Sequence, residues 1–404
     1  MNTEARLGKN HESLQQENRE LVLKLLSFPP KKISRKELSQ ITGLTPATIT
    51  NVTKNLIEKN IVRETEEVQI SGQKGRRAIS LEVNPNGRKV IGVRLARNYI
   101  IGGLFNLNCK VLHTERVNIS AVSQIDNVIK SMKDIIRTLI EKKESSDEIS
   151  TIGIATPGPL SVKEGKITLV SNFPSWRNIP IREIIYNEFG INTVIEHDAH
   201  AAALAEKRFG LYGDSKTLIY IAAGRGLGAG IITEHGIFNG TSGNAGQIGH
   251  TSIDYNGPIC ECGNRGCLEL YSSSTAVYKK VLKEFENNKV NTSLDIKKGF
   301  TADDVLKVAA SDDVFVRETI TESARLLGIG IVNLINIFEP DTVVLGDEMS
   351  TAGDFWFDTV KETILSNTFP EISRNIRIKK ESLEGDNFLV GTGAIALENL
   401  FKNI

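Results

Sequence analysis

Apolar positions along the first eighty residues recur at helical spacing. Within residues 18 to 28 (NRELVLKLLSF), Leu21, Leu25 and Leu26 fall on one face and predict an amphipathic first helix. A second helix is announced by Ser34, with Glu37 three positions on to complete a reciprocal capping box, and its apolar residues Leu38 and Ile41 are expected in a core. Thr42-Gly43-Leu44 reads as a tight turn, with Gly where positive φ is needed. Thr45-Pro46 then restarts the chain as N-cap and first helical residue of a third helix. On that helix Ile49, Val52, Leu56 and Ile57 make the buried stripe, leaving Ala47, Thr48, Thr50, Asn51, Lys54 and Asn55 on the other side. Residues 61 to 83 follow as two strands around a tip, Ser71-Gly72-Gln73-Lys74-Gly75-Arg76-Arg77.

After the turn Pro85-Asn86-Gly87 the period changes. KVIGVRLA, YIIGGLFNL and KVLHTERVNI read as a three-strand meander, and a long helix carries Val128, Ile129, Met132, Ile135, Ile136, Leu139 and Ile140. A strand (TIGIATPG), a helix over Ile181 to Phe189 and a strand (TVIEHDA) running into a helix (AHAAALAEKRFG) complete this half. The theme then recurs: Gly-punctuated strands in LIYIAAGRGLGAGIIT, a long helix from Val314 to Phe338, a buried strand over Asp341 to Gly346, and a closing helix over Gly393 to Phe401. A meander followed by alternating helices and strands, given twice, predicts two α/β lobes with a cleft between them, the usual place for a small ligand. The chain divides into a head (1–83), a join (84–88) and a body (89–404).

Composition changes this picture in three ways. The chain has 404 residues, 40% hydrophobic and 24% charged, the profile of a globular protein of two or three domains. No apolar run approaches the ~18 residues of a membrane span, and MNTEARLGKN lacks the apolar stretch of a signal peptide, so a cytoplasmic protein with no membrane partner is expected. The 49 Lys+Arg and 49 Asp+Glu cancel over the whole, yet residues 1–82 hold fourteen basic against ten acidic residues and the remainder the opposite surplus. A basic head is joined to an acidic body.

The exposed face of the third helix is small and polar, as needed by a helix that enters a major groove ~12 Å wide. Thr45, Pro46, Ala47, Thr48, Thr50, Asn51 and Lys54 are the candidate DNA contacts. Lys74, Arg76 and Arg77 at the hairpin tip form a candidate wing for phosphates or a minor groove. The alternative is a helical interaction domain with a solvated basic loop.

Three of the four cysteines, Cys260, Cys262 and Cys267, fall within eight positions, ten residues after His250. One imidazole and three thiolates are the ligand set of a closed tetrahedral zinc site, structural because all four positions are taken by protein, with one ion per chain. The alternative is a group of buried free thiols beside an unrelated histidine.

The segment Gly246-Gln-Ile-Gly-His250-Thr-Ser-Ile-Asp, continuing through Cys260-Glu-Cys-Gly-Asn-Arg-Gly-Cys267-Leu-Glu269, resembles the signature of the ROK family (repressor, open reading frame, kinase). Glu196-His197-Asp198-Ala199, Ala155-Thr-Pro-Gly-Pro159 and Asn172-Phe-Pro-Ser-Trp176 are similar to its sugar-site segments. The resemblance covers nearly the whole chain. It implies a two-lobed, actin-like sugar-kinase body with a zinc loop (246–269), here preceded by the winged helix-turn-helix of the repressor branch. Carried over residue by residue, it implies sugar contacts at Asn172, His197, Asp198, Gln247, His250 and Glu269, with His197 standing for the usual Asn and Gln247 for the usual Glu. Asp198 matches the base of the kinases, and its plain alternative is a helix N-cap. Three departures separate the chain from the kinases. Arg94-Leu-Ala-Arg97-Asn98 stands where they have an Asp-x-Gly-Gly-Thr-like stretch, Gly224-Arg225-Gly226 replaces Gly-Thr-Gly, and Asp347-Glu348 follows Gly346 in place of a glycine pair. If those carboxylates face the phosphate region they repel a nucleotide. The expectation is a homodimeric or higher-order, sugar-responsive repressor of a carbohydrate-use operon, reading an inverted repeat in double-stranded DNA, with no catalytic residues. The rival readings are a sugar kinase with an accessory DNA-binding arm and a sugar sensor that binds a protein partner.

Overall fold

In the head, α1 (His11–Ser27), β1 (Ile33–Ser34), α2 (Arg35–Thr42), α3 (Pro46–Glu58), β2 (Val62–Thr65) and β3 (Ser80–Val83) form three helices against a small antiparallel sheet of order β1-β3-β2. The computed structural model describes residues 11–28, 30–65, 79–119, 124–145, 147–169, 176–287, 290–295 and 298–404. The capping box is present: Glu37 N–H donates to Ser34 Oγ, and Glu37 Oε2 accepts from Ser34 N at 2.8 Å. Gly43 holds φ at +71°, and the Thr45 hydroxyl accepts from Thr48 N to cap α3. Two apolar positions differ from expectation. Leu21 is 40% exposed, and the buried face of α1 is Val22, Leu23 and Leu26. Residues 21 to 26 are apolar at every position but Lys24, so periodicity leaves the phase of the helix open and the neighbouring elements choose it. Ile41 is 60% exposed because it lies in the last turn of a short helix, where Gly43 reverses the chain away from the core.

The first lobe of the body runs β4 (Lys89–Leu95), β5 (Tyr99–Phe105), β6 (Val111–Asn118), α4 (Ile125–Glu141), β7 (Ile149–Thr156), a small sheet of β8 (Leu160–Ser161), β9 (Lys166–Leu169) and β10 (Arg177–Ile179), then α5 (Ile181–Phe189) and β11 (Asn192–His197). Its main sheet has the order β11-β7-β4-β5-β6, with the meander antiparallel and β7 and β11 parallel to β4. Helix α6 (Asp198–Phe209) crosses to the second lobe. There follow β12 (Leu218–Ala223), β13 (Leu227–Thr233), β14 (Gly236–Ile237), α7 (Glu269–Ser272), α8 (Ser274–Asn287), α9 (Ala302–Ala310), α10 (Val314–Phe338), β15 (Thr342–Gly346), α11 (Asp354–Asn367), α12 (Pro370–Ser373), β16 (Arg377–Lys380) and α13 (Asn387–Lys402). The second sheet, β14-β13-β12-β15-β16, repeats the first strand for strand. This duplication is the actin-like arrangement.

Helix α13 starts six residues before the predicted Gly393, where Asp386 caps it by accepting from Leu389 N at 3.0 Å. Its glycines mark close packing and not a boundary: a Cβ on Gly391 would lie 2.2 Å from Ala201 O of α6. On the other side of α6, a Cβ on Gly230 of β13 would lie 2.0 Å from Ala199 O. Every residue of α6 from Ala199 to Glu206 is buried, which explains its run of alanines: only small side chains admit backbone on both sides. Helix α10 is long and apolar enough to cross a membrane by length and composition, contrary to the expectation from run length, but Val316, Ile320, Ala324, Leu327, Ile331 and Ile335 bury it in the second lobe.

One hydrophobic core joins head and body. Val22, Leu23 and Leu26 of α1 and Ile49 and Leu56 of α3 belong to the same cluster as Phe105, Leu397, Leu400, Phe401 and Ile404. Phe28, just after α1, stands edge-on to Phe209 at 5.5 Å and tilted to Phe401 at 5.9 Å, with the Arg208 guanidinium 4.9 Å from its ring. Lys59 Nζ donates to Ile404 O at 3.0 Å. The join itself is pinned by Asn84, whose Nδ2 donates to Asn60 Oδ1 at 2.6 Å.

Removing a ring from this shared core should therefore unsettle both parts. Phe401→Ala is expected to cost about 3 to 5 kcal/mol, the usual range for a buried phenylalanine, in chemical denaturation. Hydrogen exchange should show α1 and α13 losing protection together; loss confined to α13 would contradict a common core.

Candidate functional site

The β4–β5 turn, the loop after β7, the β11–α6 junction, the β12–β13 turn and the start of α7 surround a cavity of roughly 420 Å³. His197, Asp198, Gln247, His250 and Glu269 all line it. Asn172 lies outside the described residues.

Strand β11 ends by delivering three polar side chains in succession. Glu196 points inward: its Oε1 accepts from His197 N at 2.9 Å and lies 3.0 Å from Nδ1 of the fully buried His200. His197 occupies the N-cap position of α6 without a side-chain cap bond, and burial lowers its imidazole pKa below the usual 6.5, so the ring is neutral at pH 7. Asp198 is the first residue of the helix, not its cap. One oxygen accepts from Ala199 N at 2.9 Å, and the residue lines the cavity. Glu269, at the start of α7, is 9% exposed and accepts from Leu227 N at 2.9 Å through Oε2, leaving its second oxygen available.

The opposite end of the cleft is filled by the protein's own charges. Arg94 is buried between Asp347 and Asp386, at 4.0 and 3.6 Å, donates to Tyr99 Oη at 2.5 Å and lies 3.5 Å from the centroid of the Phe388 ring. Asp347 lies over Gly224, where a Cβ would come within 2.4 Å of its Oδ2. Arg225 donates to Glu348 Oε1 at 3.3 Å, and Ser274 Oγ donates to the other oxygen at 2.8 Å. Asp347 and Glu348 therefore face arginines, and the simple repulsion expected from them is replaced by paired charge that occupies the region. Burial pushes the Asp347 carboxyl up to about 7, Arg94 opposing and the charges of Glu348 and Asp198 reinforcing the shift.

His250, Cys260, Cys262 and Cys267 bring their donor atoms within 4.8 Å of one another. Cys260 Sγ is 3.7 Å from His250 Nδ1 and Cys262 Sγ is 3.6 Å from Cys267 Sγ, close to the ~3.8 Å edge of a tetrahedron with 2.3 Å metal–sulfur arms. The loop closes on itself where Cys260 N donates to Asn264 O at 2.8 Å and Asn264 Nδ2 donates to His250 O at 3.0 Å. The group has the donors and spacing to hold a metal ion. Because Nδ1 faces the sulfurs, the same imidazole touches both the metal group and the cleft.

On the head, Thr45, Pro46, Ala47, Thr50, Asn51 and Lys54 are exposed and Thr48 is half-buried against Thr45, their hydroxyls 2.9 Å apart. Lys54 Nζ rests 3.9 Å from Glu58. The side chains thus share one open face of α3. Lys74, Arg76 and Arg77 lie outside the described residues. Sequence reasoning missed Arg35, which reaches from α2 to Thr53 Oγ1 at 3.1 Å and buttresses α3. In the cleft it missed Arg116, which the fold brings in from β6, and behind the cleft wall Asn244, from the loop before the His250 turn, whose Oδ1 lies 3.2 Å from His197 Nε2. Of these only Asn244 had a sequence signal, its place in Gly243-Asn244-Ala245-Gly246.

The sequence description of the ROK family matches residues 90–399. A xylose repressor of Caldicellulosiruptor bescii is 33% identical over 397 residues, covering 97% of this chain and 98% of its own. The DNA-binding transcriptional dual regulator NagC of Escherichia coli is 30% identical over 366 residues, covering 90% of this chain and 88% of its own. Among solved structures, a ROK family transcriptional regulator homologous to the Escherichia coli MLC protein is similar with a TM-score of 0.81 at 27% identity, over 96% of this chain and 97% of that one. A ROK family glucokinase from Streptomyces griseus, in complex with glucose and AMPPNP, has a TM-score of 0.67 at 24% identity and covers 76% of this chain and 99% of its own, a likeness of fold alone.

Two outcomes follow from the geometry. A carboxyl raised from 3.8 to about 7 keeps its proton better in the folded than in the unfolded state, so its contribution to stability falls as pH rises between those values. Asp347→Asn should therefore gain stability relative to the parent protein as pH goes from 5 to 8 in paired denaturation curves; a difference independent of pH would contradict the buried carboxyl. Metal analysis should find about one ion per chain, and Cys262→Ser should lower both metal content and melting temperature, because closed metal sites contribute directly to folding.

Proposed function

The chain belongs to the ROK family, and on that premise we propose that it is a sugar-responsive, DNA-binding transcriptional repressor of a carbohydrate-use operon, acting in the cytoplasm. One observation carries the reading. A single chain joins a helix-turn-helix head with an open polar face on α3 to a cleft lined at one end by Asp198 and Glu269, each with acceptor capacity left over, while its other end is filled by Arg94, Asp347 and Asp386.

Residues 1–83 form the reading unit, 84–88 the join and 89–404 the effector body. As a homodimer or a dimer of dimers, the protein sets two α3 helices in adjacent major-groove faces, so the operator is an inverted repeat. Thr45, Pro46, Ala47, Thr48, Thr50, Asn51 and Lys54 meet bases and backbone there, and Lys74, Arg76 and Arg77 meet phosphates or the minor groove. In the cleft Asp198 and Glu269 accept from sugar hydroxyls, with Asn172, His197, Gln247 and His250 completing the site. The relatives' names make D-xylose the first probe. The metal is one structural zinc per chain, chosen by three thiolates and an imidazole, and its loop 246–269 holds His250 and Glu269 in place. The ligand acts by its differential affinity for two spacings of the heads. Helices α6 and α13 are the physical route, since each has one end at the cleft and the other in the core shared with the head.

The rival reading is a sugar kinase, favoured by Asp198 at the hydroxyl end of the cleft. In kinases a carboxylate so placed takes a proton from the attacking hydroxyl. Here a nucleotide would have to displace the Arg94 pairs, and we infer that no phosphoryl transfer occurs.

Gel shifts with the promoter of the neighbouring genes should show binding that resists competitor DNA at physiological salt. Asn51→Ala should weaken it by about 1 to 3 kcal/mol, roughly five- to 150-fold, and Lys54→Ala should reduce the salt slope by about 1. Binding without sequence preference would sink the repressor reading. ADP release at ~1 s⁻¹ or faster on any of a panel of sugars would replace it with the kinase.

A further inference from the structure

Below the cleft, Asn244 makes a contact that decides what His197 offers to a ligand. The Leu160 backbone N–H, 2.8 Å away, can only donate, so the Asn244 atom facing it is the amide oxygen. Its Nδ2 is turned the other way, toward Ser242 O and Oγ at 3.4 Å. His197 Nε2 lies 3.2 Å from that same oxygen, and two acceptors cannot share a hydrogen bond, so Nε2 carries the proton. A neutral imidazole protonated at Nε2 has a lone pair at Nδ1. His197 is 4% exposed, and no described residue hydrogen-bonds to Nδ1. The ring edge bearing Nδ1 lies over Gly158 in the cleft wall: a Cβ there would fall 2.0 Å from Cε1 and 2.6 Å from Nδ1.

We propose that Asn244 is a positioning residue of the ligand site: by accepting from His197 Nε2–H it fixes the imidazole as an acceptor at Nδ1 and so selects ligands that bring a hydroxyl donor to that position. With Asp198 and Glu269, three acceptor groups then line this end of the cleft. The ligand class that satisfies them is a polyhydroxylated ring, neutral at this end, and an ether, keto or fluorine group opposite His197 leaves Nδ1 unpaired, which weakens binding roughly five- to 150-fold. The selection rests on the sugar-binding reading above, whereas the ring state does not.

The ring state can be read directly from full-length protein labelled with ¹⁵N-histidine. The His197 resonances are assigned by their loss in His197→Asn, and at pH 7.5 the Nε2–H tautomer is expected in the parent protein. Asn244→Leu, of similar size without the acceptor, and the smaller Asn244→Ala should give a mixed or Nδ1–H ring. They should also weaken D-xylose binding by calorimetry about tenfold or more while leaving ligand-free promoter binding unchanged. A parent ring that is Nδ1–H or charged, or variants that keep both tautomer and affinity, would overturn the proposal. A parent protein with the Nε2–H ring that takes neither D-xylose nor any of a panel of pentoses and hexoses would support the positioning role and remove the sugar reading, so the two failures are distinct.

Discussion

The close approach of α6 and α13 is the contact on which the rest of the molecule depends. Two sheets of the same topology must be held face to face across a cleft, and the two helices between them are brought together by residues with little or no side chain. Ala201 meets Gly391 of α13, and on the opposite side of α6 Ala199 meets Gly230 of β13, leaving no room for a methyl group at either glycine. Packing at interior density makes such an interface stiff, because a shift of a few tenths of an ångström produces a clash rather than a gradual strain.

Stiffness there has consequences at both ends. The N-terminus of α6 presents His197 and Asp198 to the cleft, and its C-terminus places Arg208 and Phe209 against Phe28 beneath the head. The N-terminus of α13 puts Asp386 and Phe388 around Arg94, and its C-terminus puts Leu400 and Phe401 in the core shared with α1 and α3. Cleft and head are thus connected through continuous packed structure. In proteins generally, packed interfaces that have two discrete arrangements convert a small displacement at a ligand into a movement of an attached element.

Charge is distributed along the cleft by the same logic. At the end near α6 the carboxylates have unfilled acceptor capacity and an imidazole held neutral by burial. At the other end each carboxylate has an arginine. Buried ion pairs are retained at a cost in desolvation, and here they fill the space that a polyanionic ligand would need. Asp347 illustrates the balance: Arg94 stands beside it, yet burial is the larger effect and holds its proton near neutrality.

Much of the local structure was legible in the chain. The capping box at Ser34 and Glu37, the left-handed Gly43 and the Thr45-Pro46 restart depend on interactions within a few residues, so their residue types suffice to specify them. The spacing of His250 and the three cysteines likewise belongs to a short loop that closes on itself. Other features depended on partners distant in sequence. The phase of α1 is chosen by α3, β3 and the C-terminal helix together, since its apolar run fits a core in more than one rotation. The start of α13 was hidden because its glycines serve a neighbour and not a turn. That Asp347 and Glu348 meet arginines, and that Asn244 sits beneath His197, follows only once strands from both lobes are folded together. The sequence by itself determined which groups are present and how each short segment turns; the tertiary structure decided which of them face one another, because burial and pairing depend on distances that no local rule contains.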